Sequence, residues 1–473
     1  MSVTVCLSTN QTLNYPHGGG HLWVYLNWAL GLQALGCEVI WLETVSDKES
    51  ISALKSRRKY GRLRLERDGH VEPAGDLVHE VQTNIATLKR HLKRYGLAEN
   101  LALHSRDGEA LSDKLTEGCL DLEAAAEADL LLNLRYNLPG EVVGRFRRSV
   151  LLDIDPGLLQ LWMSQGLVSV ARHDLYFTIG ETVGQPEALF PDVGLDWHYT
   201  PPPVFLPEWP QVQAEAVAPY TTVSHWWAME WVKIQGEYRD NNKRAAFLAY
   251  SDLPSRTSTP LELALCLSPS DDEESRLLEE RGWKIRHAWT VSSEPDQYRA
   301  YVQQSRGEFS VVKPSCVWLS NAWISDRTLF CYLASAKPAV IQHTGPSRFL
   351  PDSEGLMRFQ TLEEAARALS AVEADYERHC PLARELAEEH FDAQKVVGRC
   401  WSGRWHERAT FGPWKPGISL QLLCPHPYTT ASCAIPSSLS RRQRTLGGSR
   451  ERPNPRWTGS SCGSPASGST CEG

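Results

Sequence analysis

No apolar run in this chain approaches the roughly 20 residues a helix needs to cross a bilayer. The opening MSVTVCLSTN lacks the basic start and long apolar core of a secretion signal, so the expected location is the cytosol. Twelve cysteines are present but none form CxxC pairs, which argues against a zinc site or a disulfide framework. Those before residue 401 read as small buried hydrophobes. Excess positive charge is also missing. The formal net charge is −8 and the isoelectric point about 6.0, which disfavours a nucleic-acid partner while leaving room for a local phosphate site. A GxGxxG fingerprint is absent, so a dinucleotide cofactor is not supported.

What is present is ordinary globular composition, 42% hydrophobic and 22% charged over 473 residues, enough for two or three domains with real cores. The N-terminus reads as βαβ: a strand over Val3 to Ser8, a loop with Pro16, His17 and Gly18, Gly19 and Gly20, a helix from about Leu22 to Leu35 stopped by Gly36, and a strand over Glu38 to Leu42. The three glycines suit either a close backbone approach to a ligand or a plain tight turn. Residues 46–127 read as mostly polar and helical, with the basic stretch Lys89 to Arg94 as a solvated face. Three short apolar runs, Asp129 to Asn133, Ser149 to Ile154 and Asp174 to Ile179, read as buried parallel strands.

Residues 201–219 are rich in proline and break both helical and strand patterns, which marks a linker. A second α/β unit follows, with strands expected over Tyr220 to Ser224, Leu261 to Leu267 and Trp283 to Ala288. Its helices are expected over Asn242 to Tyr250, Asp271 to Arg281 and Pro295 to Ser305, and from Thr361 to His390. Trp226, Trp227 and Trp231 suit a core or a sugar-stacking platform.

The most informative segment is FSVVKPSCVWLSNAWISDRTLFCYLASAKPAVIQHTG, residues 309–345. It reads as a strand from Phe309 to Val312, a long loop, a helix over Asp326 to Ala334 and a strand over Pro338 to Gln342. Ser325 and Asp326 are N-cap candidates, and the loop from Trp323 to Arg327 is placed to aim N–H groups and a guanidinium at an anion beyond the sheet's carboxyl edge. Beyond about Ser402, proline, serine, glycine, arginine and cysteine dominate without any period, so residues 402–473 are expected to be disordered. The change is abrupt enough to raise a shift of reading frame as a hypothesis.

The stretch SDRTLFCYLASAKPAVIQHTG, followed by EGLMRF and TLEEAARAL, resembles the donor-binding half of GT-B glycosyltransferases, in particular bacterial family 1-like members. With the GGG loop, the resemblance spans most of residues 1–400. It implies an α/β fold of two Rossmann-like domains facing a cleft: residues 1–200 for an acceptor, 220–401 for a nucleotide-diphosphate sugar, and no essential metal. Nucleic acid and membrane are not among the implied partners, and the acceptor is open. Counting back from Lys337 and Pro338, Trp323 and Cys331 stand where many retaining members carry a pair of glutamates.

For the chemistry, sugar transfer by inversion needs a base opposite the departing diphosphate. His17 lies in the loop where many inverting members keep theirs, with His21 close by. Asp155, after Asp153 at a strand end, is a third candidate, and the two aspartates equally suit a helix cap. On the donor side, Arg327 and the amides of Ser325 and Asp326 are best suited to the diphosphate, with Lys313 and Lys243 as weaker cations and Gly345 lining the sugar pocket. Gly18, Gly19 and Gly20 would form the acceptor loop. The competing readings are an epimerase or hydrolase on the same fold, or a non-catalytic glycan-binding or scaffold protein.

Overall fold

The computed structural model describes residues 2–45, 77–106, 108, 110–227, 231–234, 236–350 and 354–407. The first sheet holds seven parallel strands in the order β3-β2-β1-β4-β5-β6-β7. They are β1 (Thr4–Ser8), β2 (Glu38–Val45), β3 (Leu101–Ser105), β4 (Leu130–Asn133), β5 (Ser149–Asp153), β6 (Leu175–Thr178) and β7 (Trp197–Tyr199). Their side chains are buried on both faces because helices cover both, which is why the sequence shows continuous apolar runs rather than alternation.

Two of these strands were not foreseen. β3 is the short run LALHS within a polar region, and β7 is WHY, too brief to show a period. The expectation of a mostly helical 46–127 therefore fails at β3, while residues 46–76 lie outside the described part. The helix Leu77–Lys93 does form. Its basic end is not merely solvated: Arg90 pairs with Glu294, and Arg94 with Glu208 and Asp296. These arginines are about half exposed, so the pairs set geometry more than they stabilise.

A second sheet of six parallel strands runs β12-β11-β8-β13-β14-β15. Its members are β8 (Tyr220–His225), β11 (Leu261–Cys266), β12 (Lys284–His287), β13 (Gly307–Ser310), β14 (Ala339–Gln342) and β15 (Leu356–Phe359). A hairpin of β9 (Trp231–Ile234) and β10 (Glu237–Asp240) stands apart. The helices expected between these strands are present, among them Lys243–Ala249, Asp272–Glu280 and Pro295–Gln304. Trp226 is fully buried against Phe247 in the second core. Trp227 is 41% exposed beneath Arg244, and the Trp231 side chain is outside the described part.

The chain crosses between the halves twice, side by side. In the proline-rich crossing, the Val204 N–H donates to the Phe391 carbonyl at 2.6 Å, and the Ala393 N–H donates to the Val204 carbonyl at 2.8 Å. The helix Ala393–Glu407 then packs on the helix Gly19–Ala34 of the first half. A Cβ on Gly31 would lie 3.0 Å from both Ala393 and Val397. Lys337 ties the crossing down by donating to the Val212 carbonyl at 2.6 Å. Among the described residues, no helix is long and apolar enough to cross a membrane. The expected disordered tail lies almost wholly outside the described part; residues 402–407 belong to the last helix.

Candidate active site

The carboxyl ends of the two sheets face one another, and side chains from both meet between them. Lys313, three residues beyond β13, places its ammonium 3.9 Å from Asp155, two residues beyond β5. Asn321 donates to the Pro156 carbonyl at 2.8 Å, and Thr182 donates to the Ser320 carbonyl at 3.1 Å. Glu181 accepts from Ser347 and from the Arg348 N–H.

On the second-half wall the charge is positive. Lys243 opens the helix after β10, half-buried, and makes no ion pair or hydrogen bond among the described residues. Burial, with Arg327 and Lys313 nearby, pushes its pKa down to about 7. His225, at the end of β8, stands exposed beside Lys243 and Lys313. The opposing charge is Asp326, whose Oδ1 is out of solvent's reach without a hydrogen-bond partner. Burial, reinforced by Asp155, pushes this carboxyl up to about 7.

Of the residues expected to touch a donor, Lys243, Lys313 and Asp326 make up this cluster, while Arg327 lies beside it with its guanidinium engaged elsewhere. Arg327 turns inward: Nε donates to Glu308 at 2.8 Å, Nη1 to the Val223 carbonyl at 3.0 Å and Nη2 to Ser310 at 2.7 Å. Glu308 is fully buried on β13 and requires a counter-charge, so the guanidinium is spent on the sheet. The helix expected from Asp326 forms with a π-type turn over Thr328–Tyr332, and no side chain caps its start; the Ser325 carbonyl accepts the Leu329 N–H. Gly345 has φ 129°, and a Cβ there would lie 2.7 Å from Ser320 Oγ, so close packing against the 320–322 loop explains the glycine. Ser320 and Ala322 themselves have positive φ, at 48° and 53°, which concentrates strain at the cleft.

The two histidines part company. His17 lies 3.5 Å from Glu294 and edge-on to Trp289, at the outer contact between the halves. His21 is enclosed, with Nε2 2.8 Å from the Asn10 carbonyl. That nitrogen must carry the proton to donate, which leaves Nδ1 as a lone-pair acceptor. Burial lowers the His21 pKa, and His225 across the cleft adds to the effect.

The expected acceptor loop is largely helix. Gly18 precedes it, while Gly19 and Gly20 are its first residues. A Cβ on Gly19 would lie 2.5 Å from the Glu294 carbonyl oxygen, and one on Gly20 3.0 Å from the Tyr298 ring. These glycines let the helix start press against the second half. Asp153 is buried, accepting from Gln160, Thr178 and the Asp155 N–H, so it shapes the strand end while Asp155 faces the cleft. Cys331 is buried against the Tyr298 hydroxyl, and the Trp323 indole nitrogen is buried without an acceptor. His225 was not foreseen from sequence; its only signal was its place at a strand's carboxyl end.

Two Rossmann-like halves, a proline-rich crossing and a returning C-terminal helix make the GT-B arrangement. No family model and no curated protein matches the chain. Solved structures do. Sucrose-phosphate synthase from Thermosynechococcus elongatus is similar at 11% identity and a TM-score of 0.48, over 86% of this chain and 99% of that one. HepE from Anabaena, solved with UDP and glucose, is similar at 11% identity and a TM-score of 0.44, over 85% and 98%. An α-glucosyltransferase solved with UDP and DNA is similar at 10% identity and a TM-score of 0.44, over 85% and 99%. Likenesses of this size say nothing about donor, acceptor or chemistry.

The paired shifts at Lys243 and Asp326 predict an unusual pH response. The Asp326 carboxyl ionises near pH 4 when unfolded and near 7 when folded, so its contribution to stability falls as pH rises between those values. Lys243 loses its proton near 7 when folded and above 10 when unfolded, so its contribution recovers as pH rises through that window. Together they place a shallow stability minimum near neutral pH, which melting temperatures from pH 5 to 9 will register. In Lys243→Met/Asp326→Asn protein the dip should vanish; its persistence would discard these groups as the cause.

Proposed function

We propose that the protein transfers a sugar from a nucleotide-diphosphate donor to an acceptor held by its first half. The observation that carries this reading is Lys243: a half-buried ammonium with no acidic partner among the described residues, with Lys313 close by, at the carboxyl edge of a Rossmann-like sheet. Like charges gathered in a cleft repel one another until an anion enters, and a departing diphosphate is such an anion. The sequence resemblance of residues 325–345 points the same way.

In this reading the ammonium groups, rather than a metal ion, meet the leaving diphosphate. His21 is the base, because its Nδ1 is free to accept a proton and its enclosed ring is neutral near pH 7. Asp326 takes the ribose hydroxyls: its unpartnered oxygen is an acceptor without a donor, and Cys331 and Trp323 offer no carboxylate.

Calorimetric titration with UDP, GDP, ADP and dTDP tests the donor site, and product analysis with a labelled nucleotide sugar tests transfer. Binding of one diphosphate with sugar appearing on an added acceptor is expected. Release of free sugar would indicate a hydrolase, an altered nucleotide sugar an epimerase, and no binding at all would remove the reading.

A further inference from the structure

Three neighbouring strands of the first sheet end in the same way. β4 stops at Asn133, whose side-chain oxygen accepts the Arg135 N–H at 2.9 Å. β5 stops at Asp153, whose Oδ1 accepts the Asp155 N–H at 2.9 Å, and β6 stops at Thr178, whose hydroxyl accepts the Gly180 N–H at 3.2 Å. A short polar side chain that bonds the backbone two residues on turns the chain sharply and lifts that second residue from the sheet's edge. On adjacent strands β4 and β5, the device presents Arg135 and Asp155 at the same carboxyl edge.

Asp155 is answered by Lys313 from the opposite wall. Among the described residues, Arg135 is answered by no carboxylate. Its Nε donates to Asn137 at 2.8 Å, Nη1 is out of solvent's reach with no acceptor, and the residue is only 2% exposed. Burial, then the nearby charge of Arg106, pushes its pKa down to about 10. His104, from the end of β3, also feels the Arg135 charge. Among the described residues, the acid nearest in influence is Glu43 of β2, and it does not pair with Arg135. Its Oε1 accepts from Thr9, Thr12 and Trp41, and burial pushes its pKa up toward the neutral form. The Tyr25 ring, from the helix Gly19–Ala34, lies within reach of the Arg135 charge and also senses Asp155 and Asp326, so Arg135 adjoins the cleft cluster.

An enclosed guanidinium without a counter-charge is costly for folding, and a cleft is where a ligand can supply that charge. We propose that Arg135 binds the acidic group, phosphate or carboxylate, of an anionic acceptor. The guanidinium fork matches both groups, which an ammonium does not. Asp155 then stands beside the acceptor's hydroxyls. This inference rests on the sugar-transfer reading and names the class of its acceptor.

The full-length protein is titrated with glucose 6-phosphate, glucuronate and glucose, with and without saturating UDP. Both acids, or one of them, should bind at least thirtyfold more tightly than glucose; the stronger acid identifies the group as phosphate or carboxylate. Arg135→Gln should bring the acids down to the level of glucose and leave UDP affinity unchanged. Arg135→Lys, which keeps the charge and loses the fork, should retain part of the preference, and thermal melting shows whether both variants fold. Equal binding of acids and glucose, no acid binding, or acid binding untouched by Arg135→Gln would overturn the assignment. Acid binding lost instead in Lys243→Ala would place the anion on the donor wall and also overturn it. Should the acids bind through Arg135 while no nucleotide binds, the donor reading fails and the anion site stands.

Discussion

Lys243→Ala is expected to weaken nucleoside-diphosphate binding about thirtyfold, because a charge-assisted hydrogen bond from an enclosed ammonium contributes about 2 kcal/mol. Lys313→Ala should act in the same direction, less strongly, since Lys313 already lies 3.9 Å from Asp155 and gives up part of that contact on binding. The ligand-free protein should respond oppositely. Removing Lys243 takes away a half-buried charge with no partner among the described residues, and relieves its repulsion with Arg327 and Lys313, so the melting temperature should rise. Loss of affinity together with a gain in stability marks a binding residue; a purely structural lysine would lose stability and leave affinity alone. Calorimetry and thermal melting on the two single variants and the double decide the matter. A double variant that binds as tightly as the parent would remove both lysines from the donor site.

Arg327→Ala should be the most destabilising of the substitutions considered, by about 3–5 kcal/mol, because it leaves a buried carboxylate without its counter-charge. Glu308 is fully buried and its Oε2 already lacks a partner, so it cannot exchange the lost guanidinium for water. The informative comparison is Glu308→Met with Arg327→Met. Replacing both partners by apolar side chains of similar length removes the orphaned charge and should recover most of the lost stability, as read by denaturant unfolding. The recovered double variant should still bind the nucleotide, because neither residue is assigned to it. A double variant that is stable yet no longer binds would return Arg327 to the donor site, where the sequence alone had put it.

That displacement shows which kind of information the chain carries openly. Residues 309–342 announced, through apolar period, a strand, a long loop, a helix and a strand; the strands and the helix formed within a residue or two, while the loop holds a short helix, Pro314–Trp318. The same period cannot say where a guanidinium points. Arg327 follows an N-cap candidate in sequence, yet its direction is set by Glu308, a residue 19 positions earlier that a parallel sheet carries beneath it. The glycine run gave a similar lesson. Three glycines signal that backbone must come close to something, and the neighbour turned out to be the Glu294 carbonyl and Tyr298 ring of the other half. Strand β3 escaped notice because LALHS lies in a polar stretch that reads as helical, and β7 because three residues are too few for a period to rise above composition.

The sequence by itself determined the two α/β halves, their proline-rich crossing and the strand ends where polar residues gather, because burial on both faces of a parallel sheet writes itself into local apolar runs. Tertiary structure alone decided which charges are satisfied. Arg327 has Glu308, Asp155 has Lys313, and Lys243 and Arg135 have no acidic partner among the described residues. Ion pairing acts across space over a few ångströms, between residues tens to more than a hundred positions apart, and no local pattern records it.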